Sequence, residues 1–141
     1  MDTLSKIYTR MNKIKGEIIA IKSSGSVSIV KINVNNHIIS SILLENKGDS
    51  FIKIAAHVSV LFKETAVVIA KGTVANISLQ NKFSGPIISL EKGAILSILT
   101  IHTALGNISS MITTNAVEQL KLSLNDTVTA MIKSNEIMLA V

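Results

Sequence analysis

NKIKGEIIAI, residues 12–21, returns as NKFSGPIISL, residues 81–90, an offset of 69 positions (12 to 81). Asn, Lys and Gly recur at the same steps, followed by a similar apolar tail. The offset persists downstream, where Ser40-Ser41 in HIISSIL falls on Ser109-Ser110 in GNISSMI. Further on, LFKETAVVIA, residues 61–70, lies over MIKSNEIMLA, residues 131–140, at an offset of 70. One single-residue gap between Leu44 and Ile52 reconciles the two offsets. A self-similarity that covers nearly the whole chain is read before any single element. It divides the chain into units of residues 1–71 and 72–141.

Each unit reads as a series of short strands, because its apolar stretches are rich in β-branched residues. In the first unit strands are expected near Lys13–Ile21, Ser26–Val34, His37–Leu44, Val58–Lys63 and Ala66–Ala70. In the second they are expected near Phe83–Glu91, Ala94–Thr103, Asn107–Thr113, Thr127–Ile132 and Ile137–Val141. Asn35-Asn36 and Leu105-Gly106 signal tight hairpins, since Asn and Gly tolerate positive φ. Asn115-Ala-Val-Glu118 resembles a capping box and predicts one short helix before Leu124. Five strands and a short helix in about 70 residues describe a small barrel of the OB type. The fold class is therefore all-β, two tandem OB-like five-stranded barrels, each with a short helix. A unit this small buries a thin core, so an oligomer is expected.

Hydrophobic residues make up 48% of the chain and aromatic ones only 3%, so the core is aliphatic. The net charge of +5 sits in residues 1–71, which hold ten Lys/Arg against five Asp/Glu; residues 72–141 hold four of each. A basic half suits an anionic partner, though no Arg-rich run is present. The absence of cysteine removes disulfides and thiolate metal sites. Uninterrupted apolar runs such as Ala66–Ala70 are far too short to cross a bilayer, and MDTLSKIYTR lacks the apolar core of a signal peptide. The expectation is a cytoplasmic protein with no membrane partner.

Catalysis finds little footing. His37, His57 and His102 occur singly, none at metal-ligand spacing, and no nucleophile elbow, phosphate loop or HExxH is present. The chain is expected not to be an enzyme and to need no cofactor. Nucleic-acid binding by an OB barrel uses exposed aromatics and a basic groove. Here Phe62 and Phe83 sit in apolar contexts and Arg10, Lys13 and Lys15 form only a small basic cluster, so that reading is the weaker one.

The repeat endings carry more. Lys63 and Lys133 each follow an apolar strand where the chain turns into the last strand, and the plain reading of each is a charged hairpin residue. Lys133, however, is followed by Ser134 and Asn135, which puts a cation beside a hydroxyl, an amide and turn N–H groups. That is equipment for holding a small oxyanion. The repeat starts, Thr9-Arg10-Met11-Asn12 and Ser78-Leu79-Gln80-Asn81, each add a hydroxyl, a long polar side chain and an amide.

These motifs together resemble the Mop or TOBE domain. The shared pattern is the polar start with N-K-x-x-G, the ISS…T…N-AVEQL middle and the apolar-IKS-x-x-apolar ending. A duplicated copy is similar to the tandem Mop (di-Mop) molybdate-binding proteins, over about residues 8–141. The resemblance implies trimers of tandem chains that hold molybdate or tungstate at subunit interfaces, for storage or homeostasis of the anion. A sensing module reporting to a partner chain is the alternative. The starting motif of one subunit and the Lys-Ser turn of another would close on the anion. Position by position this nominates Ser78, Gln80 and Asn81 with Lys133 and Ser134, and Thr9, Arg10 and Asn12 with Lys63. A second kind of site, near the trimer axis, would draw on Thr113 with Ser109 or Ser110.

The chain departs from the pattern, mostly in its first unit. Met11 and Gln80 stand where the family carries arginine, and Arg10 lies one place early. Glu64 replaces the serine after lysine, where a carboxylate would repel a dianion. Leu43 and Leu44 replace the hydroxyls of Thr113 and Thr114.

Overall fold

A computed structural model describes residues 10–44 and 51–141. The first repeat contributes β1 (Met11–Ser24), β2 (Val27–Val34), β3 (His37–Leu44), β4 (His57–Lys63) and β5 (Val68–Lys71). The second contributes β6 (Asn81–Lys92), β7 (Leu96–Thr103), β8 (Gly106–Thr113), the helix α1 (Thr114–Gln119), β9 (Thr127–Ile132) and β10 (Met138–Ala140). The strands form two five-stranded antiparallel sheets of OB-like topology.

The long first strand of each repeat serves two neighbours. Residues Met11–Glu17 of β1 pair with β4, and Glu17–Ser24 pair with β2. The register shifts between Ile18 and Ala20, and β6 shifts at the matching place, between Ile87 and Ser89. Such a bulge bends the strand, which lets one ribbon curl from one partner to the other. Gly16 and Gly85 sit just before it. A Cβ on Gly85 would overlap the His102 carbonyl, and one on Gly16 would lie 2.5 Å from Ile32 Cγ2. That close approach explains why both copies carry glycine at this step.

The hairpins close differently in the two copies. Asn35 and Asn36 both take positive φ, 50° and 66°, as the β2–β3 turn requires. In the second copy the linking residues are Ala104 and Leu105, and Gly106, φ 111°, opens β8 instead of completing the turn. Thr103 holds that turn: its hydroxyl donates to Gly106 O at 2.8 Å and accepts from Leu105 N at 3.1 Å.

The repeat endings do not form the expected hairpins. After β4 the chain makes a 3-10 turn, Glu64–Ala66, and β5 then pairs with β9 of the second repeat. After β9 the matching 3-10 turn, Ser134–Glu136, sends β10 back to pair with β4 of the first repeat. Each sheet therefore takes its edge strand from the other copy. A 3-10 turn with extended residues on both flanks redirects the chain without folding it back on itself, so Lys63 and Lys133 cap crossovers and are not hairpin charges.

One aliphatic core runs through both repeats, with Ile18, Val30, Ile32 and Phe62 joined to Phe83, Ile87, Leu99 and Val128. Four buried polar contacts stitch the copies together in matched pairs. Asn81 bonds the backbone of Ser40 twice, at 2.8 and 2.9 Å, and Asn12 does the same to Ser109, at 2.8 and 2.8 Å. Ser41 Oγ donates to Ile137 O at 2.9 Å, and Ser110 Oγ donates to Val67 O at 2.8 Å. Every pair obeys the repeat offset, so the two copies face one another about a pseudo-twofold axis.

α1 starts earlier than the capping box predicts. Thr113, not Asn115, is the N-cap, and its hydroxyl oxygen accepts from Ala116 N at 3.1 Å. The strand ends with a threonine already placed for that bond, so the helix begins at once. The counterpart helix expected in the first unit falls on residues 45–50, outside the described residues.

Candidate oxyanion site

β6 and β9 run antiparallel with Asn81 opposite Ile132 as their last pair. The residues just before β6 and just after β9 therefore emerge side by side. This register gathers Ser78, Gln80, Lys133 and Ser134 around one hollow of about 240 Å³. Its opposite wall comes from the first repeat: Ser40 supplies the polar part, Ile29 and Ile42 the apolar part. The volume falls below the roughly 300–1,000 Å³ typical of sites for drug-sized ligands, which suits a small ion with some of its water.

The wall is rigid where it is polar. Asn81 is buried, and its amide is committed to both backbone groups of Ser40. Of the second half-set, then, Asn81 stands behind the hollow and orients its wall, while the other four line it. Lys133 is exposed and takes part in none of the ion pairs among the described residues. A cation with no internal carboxylate is available to an external anion.

A second, wider hollow of about 500 Å³ lies next to the first and brings the two repeat-ending lysines together. Lys63 and Lys133 both line it, together with Thr65 and the carboxylate of Glu136. Leu79 borders both hollows.

The first half-set does not gather in the same way. Thr9 lies outside the described residues. Arg10 Nε sits 2.8 Å from Glu64 Oε1. Asn12 is buried against Ser109, and Lys63 reaches only the wider hollow. Of the second kind of site, Thr113 is exposed at the helix start with its oxygen used as a cap, Ser109 is half-buried with its backbone held by Asn12, and Ser110 is buried with its hydroxyl proton given to Val67.

Sequence reasoning missed Ser40, Ile29 and Ile42. A signal was present for the first: Ser109 was nominated, and the offset of 69 carries Ser109 onto Ser40. Other chemistries gain nothing from the fold. Phe62 and Phe83 are buried and cannot stack on bases. His102 bonds Asn107 at 2.9 Å. No group of three or more His, Cys, Asp or Glu among the described residues is placed to hold a metal ion, and no helix there is long and apolar enough to cross a membrane.

A two-repeat OB-like β-protein with a small hollow of mixed polar and apolar lining between its copies is the class that fold and geometry define. Comparison with known proteins agrees. The TOBE domain matches residues 77–139. Molybdenum-pterin-binding protein 1 of Clostridium pasteurianum is 35% identical over 65 residues, 45% of this chain and 96% of that protein. Molybdenum-pterin-binding protein 2 of the same organism is 32% identical over 65 residues, with the same coverage. Among solved structures, the cytoplasmic molybdate-binding protein ModG, with molybdate bound, superposes with a TM-score of 0.85. It is 24% identical, over 94% of this chain and 97% of that one. The chain belongs to the tandem Mop/TOBE family.

Proposed function

We propose that the protein binds molybdate or tungstate in the cytoplasm, without turnover, as a store or buffer of the oxyanion. The observation that carries this reading is the convergence of Lys133, Ser134, Ser78 and Gln80 on one small hollow. Lys133 supplies the charge, the two serines supply O–H donors and Gln80 supplies amide N–H. The relatives named for molybdenum and molybdate add weight from an independent side. Asn81 is a positioning residue in this reading, and Asn12 makes the matched clamp on Ser109. The repeats, residues 1–71 and 72–141, act as two Mop-like domains, each with its own short helix.

The same chemistry argues for assembly. A dianion facing one lysine and neutral donors keeps an open side, and burying charge without full pairing is costly. A neighbouring copy that covers the hollow supplies the missing donors, and the chain is read as a homotrimer that shares its anions across subunit seams. Exposed Ile29, Ile38 and Leu44 on the first sheet, and Ile88 and Leu96 on the second with Ile95 in the bend before β7, offer apolar surface for such contacts.

Titration calorimetry with sodium molybdate tests the function. Binding is expected to survive excess sulfate and to weaken by at least tenfold in Lys133→Ala. A Lys133→Ala protein with unchanged stoichiometry and affinity removes that lysine from the site, and heat-silent titration of the wild type removes the function.

A further inference from the structure

The pseudo-twofold gives residues of the Lys133 hollow counterparts in the other repeat. Ser134 maps to Glu64, Leu79 to Arg10, Gln80 to Met11, and Ile42 to Met111. The mapping is structural as well as sequential, since Asn12 grips Ser109 just as Asn81 grips Ser40. At the counterpart position the chain has placed a carboxylate. Glu64 is only 6% exposed, and its buried Oε1 is ion-paired with Arg10 Nε at 2.8 Å. The backbone joins them too, Glu64 N donating to Arg10 O at 3.3 Å.

A nearly buried carboxylate paired with a half-exposed guanidinium calls for an explanation, because desolvating a charge is costly even when it is paired. Ser134 shows that the position tolerates a small neutral donor, so the fold does not need the charge. We propose that Glu64 is a built-in anion: with Arg10 as its counter-ion it occupies the first repeat's version of the oxyanion site and excludes a free dianion from it. Each chain then offers one Lys-turn site and not two. This inference rests on the oxyanion reading above. The logic is competition for the same cation and the same space. Glu64 carries its negative charge to where the guest's would sit, and Arg10, half-exposed beside it, balances it. Met11, standing where the second repeat has Gln80, removes an amide from the same position.

Equilibrium dialysis against sodium molybdate, with bound molybdenum measured per chain, tests it on the wild type, Glu64→Ser, Glu64→Gln and Glu64→Ser combined with Lys133→Ala. The expected result is one additional anion per chain in Glu64→Ser, with Arg10 released to bind it. The combined variant is expected to regain the molybdenum that Lys133→Ala alone loses. Glu64→Gln keeps the shape and removes the charge, so it guards against a serine variant that misfolds, and circular dichroism confirms folding in each. Folded Glu64 variants that bind no more molybdenum than a wild type that does bind overturn the proposal and leave the Lys133 site standing. A wild type and variants that all bind none overturn both.

Discussion

Two asparagines set the geometry at the residue scale. Asn81 satisfies both backbone groups of Ser40 in a buried setting, and Ser40 is the polar wall of the hollow. Removing the amide strands a buried N–H and a buried carbonyl together, at a cost of about 1–3 kcal/mol for each unsatisfied group. Asn81→Ala is therefore expected to lower the thermal midpoint by several degrees and also to weaken molybdate binding, because the wall is no longer held. Asn12→Ala removes the matched clamp on Ser109 and is expected to cost similar stability. It should leave affinity for the Lys133 hollow nearly unchanged. Differential scanning calorimetry and titration of the two variants side by side check this; equal losses of affinity would mean that the asparagines act only through global stability.

At the scale of elements the exchange of edge strands is the feature with consequences. β10 completes the sheet of the first repeat, through Met138 opposite Leu61 and Ala140 opposite Ser59, while β5 completes the sheet of the second. Ile137 is buried and its carbonyl also receives the Ser41 hydroxyl. Deleting residues 137–141 is expected to expose amides of β4 and β3, in the first half of the chain, to rapid hydrogen exchange. β9, next in sequence to the deletion, keeps β5 and β6 as neighbours and is expected to stay protected. Peptide-resolved exchange that instead showed deprotection confined to 127–132 would contradict the exchanged pairing.

For the molecule as a whole, a shared core and exchanged edges make the two repeats one folding unit, and the unpaired cation at each proposed seam couples that unit to its neighbours. Lysines brought together by assembly repel when the sites are empty, and a ligand that binds only the assembled form stabilises it by mass action. Millimolar molybdate is expected to raise the melting temperature and to shift native mass spectra toward the trimer, with sulfate doing far less. A monomer that binds molybdate as tightly as the assembled protein would leave the seams without a role.

Much of this protein was legible in one dimension. The doubled stretch at 12–21 and 81–90, the β-branched runs, and the paired asparagines of the β2–β3 turn are local signals, and local signals specify strands, turns and the number of units. So was the placing of Lys133 and Ser134 on one hollow, because a cation and a hydroxyl adjacent in sequence stay adjacent in space. What only the tertiary structure decided is which strand lies beside which. The 69- and 70-residue offsets are the same whether β5 pairs within its own repeat or crosses to the other, since both edges present the same spacing of backbone donors and acceptors. Long-range packing makes that choice. With it come the burial of Glu64 against Arg10 and the meeting of Ser40 with the Lys133 turn, contacts between residues 54 and 93 positions apart (64 − 10 and 133 − 40), which no reading of neighbours along the chain can supply.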